Sequence, residues 1–450
     1  IRVNNEEILW SGFKRNQGLF RPRYAGELQG IQGGSNGLGL EVTPFGLANG
    51  TRTWTSPSAA TETTLDGGGD LSFALTPTLR TALTVNTDFA EVEVDQRRVN
   101  LTRFPLFFPE KRDFFLESAD IFEFAPSSGQ NPFFSRRIGL EDGTPVPILA
   151  GARLNGRLGD YEVGLFQVRT RDADVGGEEA ELPPEDFTAG RVIRNFGAES
   201  QIGVIYTRRA THDRGGPYAL FSNRHTAGTD LELGTTTLFG DKDFQFQAFF
   251  LWHNAPLEDP SLDVQDDTLG VTQIGSEWHQ RTTRGVRFNY PNDPWVAHMS
   301  YREFGDAYDP AVGFVRRVGF RRLQPTVSYQ PVLENHPAVQ ELNFTARFEY
   351  LTDLTFEPQT INLTLSPLDV QFVTGDTFEA NAAYDFERLN APFDILRDGS
   401  IVIPPGSYRT LGTAVEVGTA EYRTLSGAAQ LEYGGFWSGT QTALDLEATV

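Results

Sequence analysis

The chain has 450 residues, no cysteine and a formal net charge of −22 at pH 7. The absence of cysteine excludes a disulfide framework and thiolate chemistry, and the acidic balance disfavours nucleic acid as a partner, because phosphate binding needs clustered Lys and Arg. No run of about eighteen apolar residues occurs, which excludes membrane-spanning helices.

The first seventy residues are ambiguous. Arg21–Gly30 and Leu38–Phe45 have the pattern of a β-hairpin, but Gly33–Gly39 is equally compatible with a loop. The start of the chain, from Ile1, has neither the basic residues nor the apolar run of a signal peptide.

Between Asp88 and Gly139 the chain is dense in charge and paired aromatic residues. Residues 100–124 read NLTRFPLFFPEKRDFFLESADIFEF, and FFSRRIG follows at 133–139. Pro105 and Pro109 exclude a central strand here, because proline cannot donate to the hydrogen-bond ladder.

After this segment, apolar and polar residues alternate in one run after another. In Leu342–Tyr350 (LNFTARFEY) every second side chain is apolar. The same period appears in Phe244–Trp252, Trp295–Arg302 and Leu444–Val450. Strict alternation is the period of a β-strand whose two faces lie in different surroundings.

The connections between these runs fall into two classes. Short turns are expected at residues 156–160, 196–200, 240–243, 291–294, 334–337 and 374–376. Long connections are expected at residues 171–188, 212–223, 254–267, 305–313 and 390–407. Short turns on one side and long loops on the other are typical of a bacterial outer-membrane barrel, with the turns in the periplasm.

The sequence therefore predicts an all-β fold, a transmembrane antiparallel meander β-barrel of about sixteen strands (range 14–18). Its 35 Phe residues with only 39% hydrophobic content fit an apolar face toward lipid and a polar face toward a lumen. A spanning protein without helices must close its sheet, because lipid cannot satisfy open edges. We expect one barrel domain over 1–450, with the chain continuing beyond one or both ends, because Ile1 opens no signal peptide and Val450 falls inside a strand pattern. A soluble β-sandwich or propeller is the alternative.

Within this barrel, the segment 88–139 cannot face lipid, because interleaved charges are too costly there. We expect it to fold into the lumen and tie the walls together by ion pairs. The alternative is a constriction or ligand site, whose lining residues would be Glu110, Lys111, Arg112, Asp113, Glu117, Arg136 and Arg137. Acid–base catalysis by its carboxylates is the least favoured interpretation.

The same segment resembles a known family, the bacterial outer-membrane barrels called domain of unknown function 5916. Its stretch FFPEKRxFFLE is matched by Phe107–Glu117, SRRIG by Ser135–Gly139, and Gly-Phe-Val-Arg-Arg by Gly313–Arg317. Asp113 and Ser118 depart from the residues expected in many members. The resemblance implies an outer-membrane barrel. Family members often carry an upstream module similar to carbohydrate-binding family nine, and a link of this chain to carbohydrate therefore rests on analogy alone.

Other chemistry has weak support. The six histidines are isolated and lack metal-ligand spacing, so we expect no metal and no cofactor. The acidic stretches 172–186 and 257–267 are best read as solvated loops, with calcium-bridged contact to lipopolysaccharide as the alternative. Trp295, directly after the turn 291–294, fits an interfacial aromatic belt.

The leading hypothesis is a bacterial outer-membrane barrel for passage or surface handling of a solute or polysaccharide. The expected partners are the lipid bilayer and lipopolysaccharide, with carbohydrate or another envelope protein as further candidates. Two alternatives remain: a non-conducting structural or assembly barrel, and a lumenal hydrolase using a Ser and a His from neighbouring strands.

Overall fold

A computed structural model of the chain describes residues 29–30, 39–52, 61–86, 104–117, 119–126, 129, 131–141, 144–174, 181–211, 223–254, 277–396 and 399–449. All structural statements below concern these residues. The predicted strand Arg21–Gly30, the start of the charged segment at residues 88–103 and the acidic stretch 257–267 lie wholly or mostly outside them.

The described residues form strands and a few short helices. The strands are β1 Glu41–Arg52, β2 Thr61–Thr76, β3 Leu79–Val85, β4 Leu140–Glu141, β5 Thr144–Pro145, β6 Ile148–Leu158, β7 Tyr161–Thr170, β8 Ala173–Asp174, β9 Glu181–Leu182, β10 Glu185–Phe196, β11 Ser200–Thr211 and β12 Arg224–Leu238. They continue as β13 Lys242–His253, β14 Thr282–Pro291, β15 Trp295–Phe304, β16 Phe320–Tyr329, β17 Val339–Thr352, β18 Pro358–Phe372, β19 Thr377–Leu389, β20 Phe393–Asp394, β21 Val402–Ile403, β22 Gly406–Gly418, β23 Ser426–Phe436 and β24 Gly439–Thr449. The helix α1 covers Asp113–Leu116, and 3-10 turns cover Ala119–Phe122, Ser135–Arg137 and Trp278–Arg281.

Eighteen of these strands form one sheet, and the other six pair as three two-residue ribbons, β4–β5, β8–β9 and β20–β21. Within the large sheet every strand pairs antiparallel with the next one along the chain. The predicted fold class is confirmed: the chain is an antiparallel meander barrel with a segment folded against its inner face. The number of strands, eighteen, is the upper limit of the expected range, and the ambiguous N-terminal part supplies β1 and β2. No helix in the described part of the chain is long and apolar enough to cross a membrane.

The two faces of the sheet are visible on β17. Phe344 and the other apolar members of Leu342–Tyr350 share one face, on which Phe344 is 38% exposed. Thr345 points the other way, is buried, and its hydroxyl lies 2.7 Å from the Ser328 hydroxyl of β16. The alternation in the sequence therefore separates an outer apolar surface from an inner polar one.

On one part of the barrel the inner face is apolar as well. Phe166 and Val168 of β7, Phe187 of β10 and Leu251 of β13 are buried and belong to clusters that include residues 114–125. The core of the molecule thus lies inside the barrel, where the charged segment packs against these strands.

The two ends of the barrel differ as the sequence predicts. Short turns join the strands at one end, for example at residues 159–160, 292–294 and 373–376. The connections 171–184, 305–319 and 390–405, and the segment between β3 and β6, lie at the other end. Of the expected long connections, residues 212–222 and 255–276 lie outside the part of the chain that is described.

Candidate functional site

A lumenal body fills part of the barrel. It consists of the described residues of 104–141 together with 305–319, the connection between β15 and β16. The two pieces join through backbone bridges between Asn131 and Phe314 and between Phe133 and Val312. The rings of Phe107, Phe134 and Phe314 meet with centroids 5.1–5.7 Å apart. Residues 305–313 were predicted only as a long loop, so the inward fold of this connection is a correction to that expectation.

The centre of the first piece is an ion pair between Glu110 and Arg112. The two groups meet through two hydrogen bonds of 2.8 and 2.7 Å, and the Ser135 hydroxyl donates to the same carboxylate at 2.7 Å. Arg112 also donates to the carbonyl oxygens of Ile138 and Ser135. The side chains of Arg112 and Glu110 are only 2% and 9% exposed. This cluster closes the chain between residues 110 and 138 into one unit.

The electrostatics of Glu110 follow from this arrangement. Burial raises the pKa of Glu110, but the hydrogen bonds and charge of Arg112, with the Ser135 hydroxyl, outweigh it. The pKa of Glu110 is therefore lowered below its ordinary value, because every donor around the carboxylate favours its charged form.

Glu117 ties the body to the barrel wall. Its carboxylate accepts a short hydrogen bond from Arg153 of β6 and lies 3.1 Å from Arg80 of β3. Arg153 also donates to the backbone oxygens of Phe114 at 2.6 Å and of Glu117 at 2.8 Å. One buried arginine of the wall thus holds the end of α1.

A second attachment lies further round the barrel, where Arg191 of β10 and Asp230 of β12 form a buried ion pair. The two bonds between the guanidinium and the carboxylate measure 2.6 and 2.8 Å. Asp230 also accepts the backbone N–H of Ala125 at 3.1 Å, and Arg191 donates to the Glu123 carbonyl. Arg191 is 1% exposed and Asp230 6%. Each charge is paired with the other and hydrogen-bonded to the body, while Arg191 Nε is buried without a hydrogen-bond partner.

The second piece of the body is held by Asp309. This carboxylate pairs with Arg224 of β12 and lies 3.5 Å from Arg137. Arg137 donates to the Gly313 carbonyl at 2.9 Å. Burial raises the pKa of Asp309, but the charges of Arg224 and Arg137 have the larger, opposite effect. The pKa of Asp309 is therefore lowered below its ordinary value. The two arginines bridge the wall and both pieces of the body.

The structure brings together most of the residues that the sequence singled out. Arg136 is buried and donates to the Pro109 carbonyl at 3.1 Å, and its guanidinium lies 5.6 Å from the Phe108 ring. Lys111 is half-buried next to the Glu110–Arg112 pair, and Asp113 is the first residue of α1. The role of these residues as the lining of a pore or ligand site stays a prediction.

The partners of this set on the wall were not predicted. They are Arg80, Arg153, Arg191, Arg224 and Asp230, and Asp309 in the second piece of the body was not predicted either. A signal for them exists in the sequence, because a charged residue at an inward position of a two-faced strand must find a partner or water. Which residue it meets depends on the register of the barrel, and sequence spacing does not give that.

Beside the body, the inner wall is polar. Strands β14 to β17 carry Arg287, Arg302, Arg322 and Arg347 on their inner face. Arg287 donates to His298 at 3.2 Å, and Arg322 lies 3.9 Å from Glu349. This stretch forms a basic part of the lumen.

The next strands carry the opposite charge. Glu379, Asp385 and Glu387 of β19, Glu416 of β22, Glu432 of β23, and Asp445 and Glu447 of β24 share the inner face. A cavity of about 220 Å³ lies against this part of the wall, and its lining includes Asn381, Ala383, Gly412, Glu432 and Gln441. The small residues Ala383 and Gly412 leave room for this cavity, and the side chains of Asn381, Glu432 and Gln441 surround it with amide and carboxylate groups.

Other sequence candidates for chemistry stay separate. Among the described residues, no group of three or more His, Asp or Glu side chains is placed to hold a metal ion. The two ring nitrogens of His253 each lie 2.6 Å from a carbonyl oxygen, that of Asn254 and that of Ala307. A carbonyl oxygen only accepts, so His253 is the donor, and it takes part in holding the second piece of the body.

Fold and site together define a large antiparallel β-barrel whose lumen is partly filled by its own chain. Residues 38–147 match the family model described as domain of unknown function (DUF5916). This span contains the first two motifs on which the predicted resemblance rests, and the match confirms that resemblance. No curated protein matches the chain.

Three solved structures are similar over most of their length. OccAB3 of Acinetobacter baumannii is 11% identical, with 91% of this chain and 98% of that chain covered and a TM-score of 0.33. OpdQ of Pseudomonas aeruginosa is 10% identical (91% and 93% covered, TM-score 0.30). OpdK of Pseudomonas aeruginosa, solved with vanillate, is 9% identical (90% and 94% covered, TM-score 0.31).

Proposed function

We propose that this barrel lies in the bacterial outer membrane and lets small hydrophilic solutes pass, through the part of its lumen that the body leaves open. The bilayer is its first partner, and lipopolysaccharide surrounds its outer half. The same barrel could also handle a polysaccharide at the cell surface, which is the form that the predicted carbohydrate link would take. Another envelope protein is a further candidate partner.

One observation carries this proposal, the uneven filling of the barrel. The body packs on the inner face of strands from β3 to β13, where inward residues such as Phe166, Phe187 and Leu251 are buried. On β22 and β23 the inward residues Gly412, Ala414 and Glu432 are half-exposed and border the cavity. A lumen that is packed on one side and polar and roomy on the other supports a passage.

The charges along this passage support selection among solutes. The inner face is basic on β14–β17 and acidic on β19–β24, so a solute between them meets both signs of charge. Rings and rows of charged side chains are the usual means by which pores select ions and charged solutes. We infer that polar solutes, rather than apolar ones, cross the barrel through this passage.

The experiment compares two neighbouring positions on β22 in planar lipid bilayers. A Cβ added at Gly412 would have its nearest neighbours at 3.9 and 4.0 Å, so a larger side chain fits there and points into the lumen. Gly412→Trp should lower the single-channel conductance about twofold or more, because it narrows a polar pore. Leu411→Trp is the matched control, because Leu411 faces outward and is 72% exposed; its conductance should equal that of the wild type.

The alternatives predict other outcomes. A wild-type barrel that carries no current, even after residues 104–139 are deleted, contradicts the passage and favours the non-conducting structural barrel. Equal conductance of the two tryptophan variants contradicts the location of the passage. Turnover in a screen of glycans and phospholipids, lost when the seryl or histidyl residues of the lumen are replaced, favours the hydrolase.

A further inference from the structure

A cluster of charged residues lies on the outer face of the barrel, where most of the surface is apolar. Glu303 of β15 stands between Arg284 of β14 and Arg321 of β16. The carboxylate lies 2.7 Å from Arg284 Nη2 and 2.9 Å from Arg321 Nε. The Tyr301 hydroxyl donates to the same carboxylate at 3.2 Å. Two guanidinium groups share one carboxylate, so the cluster keeps a net positive charge.

The depth of this cluster follows from the outward side chains of β15. From the short-turn end they are Trp295, Ala297, Met299, Tyr301 and Glu303. Trp295 opens this strand of ten residues, and about nine to eleven residues of a tilted strand span the apolar band of a membrane. Glu303 and its arginines lie at the far end of the strand, and therefore at the outer border of the apolar band, at the level of the lipid headgroups.

The end of the barrel on which they lie is also fixed by the strands. Residues 282–284, 303–304 and 320–321 adjoin the long connections, which by the asymmetry of such barrels face the cell exterior. The headgroups at this level are therefore those of the outer leaflet.

A neighbouring loop adds an apolar contact to the same place. Residues 353–357 join β17 to β18, and the Asp353 carboxylate accepts the backbone N–H groups of Thr355 and Glu357 at 2.9 and 2.8 Å. Phe356 in this loop has a left-handed backbone (φ 68°) and is 68% exposed. The Arg321 guanidinium lies 4.1 Å from its ring. A phenylalanine in this strained conformation persists only where its surroundings hold it.

We propose that Arg284 and Arg321 bind a phosphate group of a phosphorylated glycolipid in the outer leaflet, with the Phe356 ring beside the bound headgroup. Guanidinium groups recognise phosphate by paired, charge-assisted hydrogen bonds. Arg284 is suited to this because its side chain is 45% exposed. Glu303 fixes both arginines in place without cancelling their charge. The proposal rests on the outer-membrane location proposed above, but it does not depend on whether the barrel conducts.

The test is native mass spectrometry of the detergent-purified barrel with added lipid A that carries two phosphates. The wild type should retain lipid A, and the fully dephosphorylated lipid should bind about tenfold more weakly, because charge-assisted bonds are lost. Arg284→Gln should weaken lipid A binding several-fold, and Arg284→Gln with Arg321→Gln should weaken it further. Arg347→Gln, on the inner face of β17, is the matched control and should bind as the wild type does.

The outcomes separate this proposal from the proposed function. Equal binding of lipid A by the wild type and the double variant overturns the proposal, as does equal retention of the dephosphorylated lipid. Arg284→Gln leaves the Arg321–Glu303 pair in place, so it should fold even where the double variant does not. Conductance of Arg284→Gln and of the double variant should match that of the wild type, because both arginines lie on the outer face. Loss of lipid binding with unchanged current concerns this surface alone, and loss of current with unchanged lipid binding concerns the passage.

Discussion

At the scale of single residues, the barrel and its contents are joined by a few buried ion pairs. Taking two charges out of water is costly, and their attraction compensates only when the remaining hydrogen bonds are also made. Arg191 and Asp230 meet this condition only in part, because the Ala125 N–H and the Glu123 carbonyl add to their bonding but the buried Arg191 Nε has no hydrogen-bond partner. The pair therefore specifies where the body attaches more than it adds to net stability.

Breaking this pair from one side should be severe. Arg191→Met leaves the Asp230 carboxylate buried with the Ala125 N–H, which should lower the free energy of unfolding by about 3–5 kcal/mol. Arg191→Met combined with Asp230→Leu removes both charges and should lose less than the single change. Urea unfolding in detergent micelles measures all three proteins. A double variant that is less stable than the single one contradicts this account.

The Glu110 cluster should make stability depend on pH. The pKa of Glu110 is lowered in the folded protein relative to an ordinary value of 4.5. Its stabilising effect is therefore complete above about pH 4.5 and is lost as the pH falls through the lower folded pKa. The difference in unfolding temperature between the wild type and Glu110→Gln, measured from pH 7 to pH 3, should shrink below pH 4.5. A difference that stays constant over this range would rule out the ionised carboxylate as its source.

At the scale of elements, the alternation of side chains decides which face of each strand is apolar, and this is the face that meets lipid in the proposed membrane location. The pattern of Leu342–Tyr350 is sufficient to predict β17 and the direction of its side chains. It is not sufficient for β7, β10 and β13, whose inner faces are apolar because they pack on the body. There the sequence is compatible with a buried soluble strand, and only the partner segment explains the pattern.

Neighbouring positions on β22 test the two faces directly. Val415 is outward and 43% exposed, and Ala414 lines the cavity. Val415→Arg should destabilise the barrel by about 2 kcal/mol or more, because a guanidinium in the apolar band loses its water. Ala414→Arg, which points at Glu432 and its neighbours in the lumen, should change stability little. The yield of folded barrel and the free energy of unfolding in micelles are measured for both variants. An equal loss of stability in the two variants would show that the faces of β22 are assigned wrongly.

The inner body shows where sequence reasoning stops. The sequence is sufficient to predict that the segment 88–139 folds inward, because proline and dense charge exclude a lipid-facing strand. The second piece, 305–319, carries Ala307, Tyr308, Ala311 and Val312 in a short apolar run, and nothing in that run alone separates an outer loop from a buried one. Its position is set by Arg137 and Arg224 on Asp309, contacts between residues far apart in the chain.

At the scale of the whole molecule, an eighteen-strand sheet is wide enough to hold both a packed body and a polar space. The body packs against the apolar inner faces of β7 to β13. The charged inner faces of β14 to β24 remain beside it. The central claim is that one face of β22 meets this polar space while the other meets lipid.

Single cysteines test that claim most directly, because the chain has none of its own. Gly412→Cys and Leu411→Cys are inserted into planar bilayers, and a charged, water-soluble thiol reagent is added while the current is recorded. The account predicts that the reagent reduces the current through Gly412→Cys and leaves Leu411→Cys unchanged. A current that falls at Leu411→Cys, or at neither position, would contradict it.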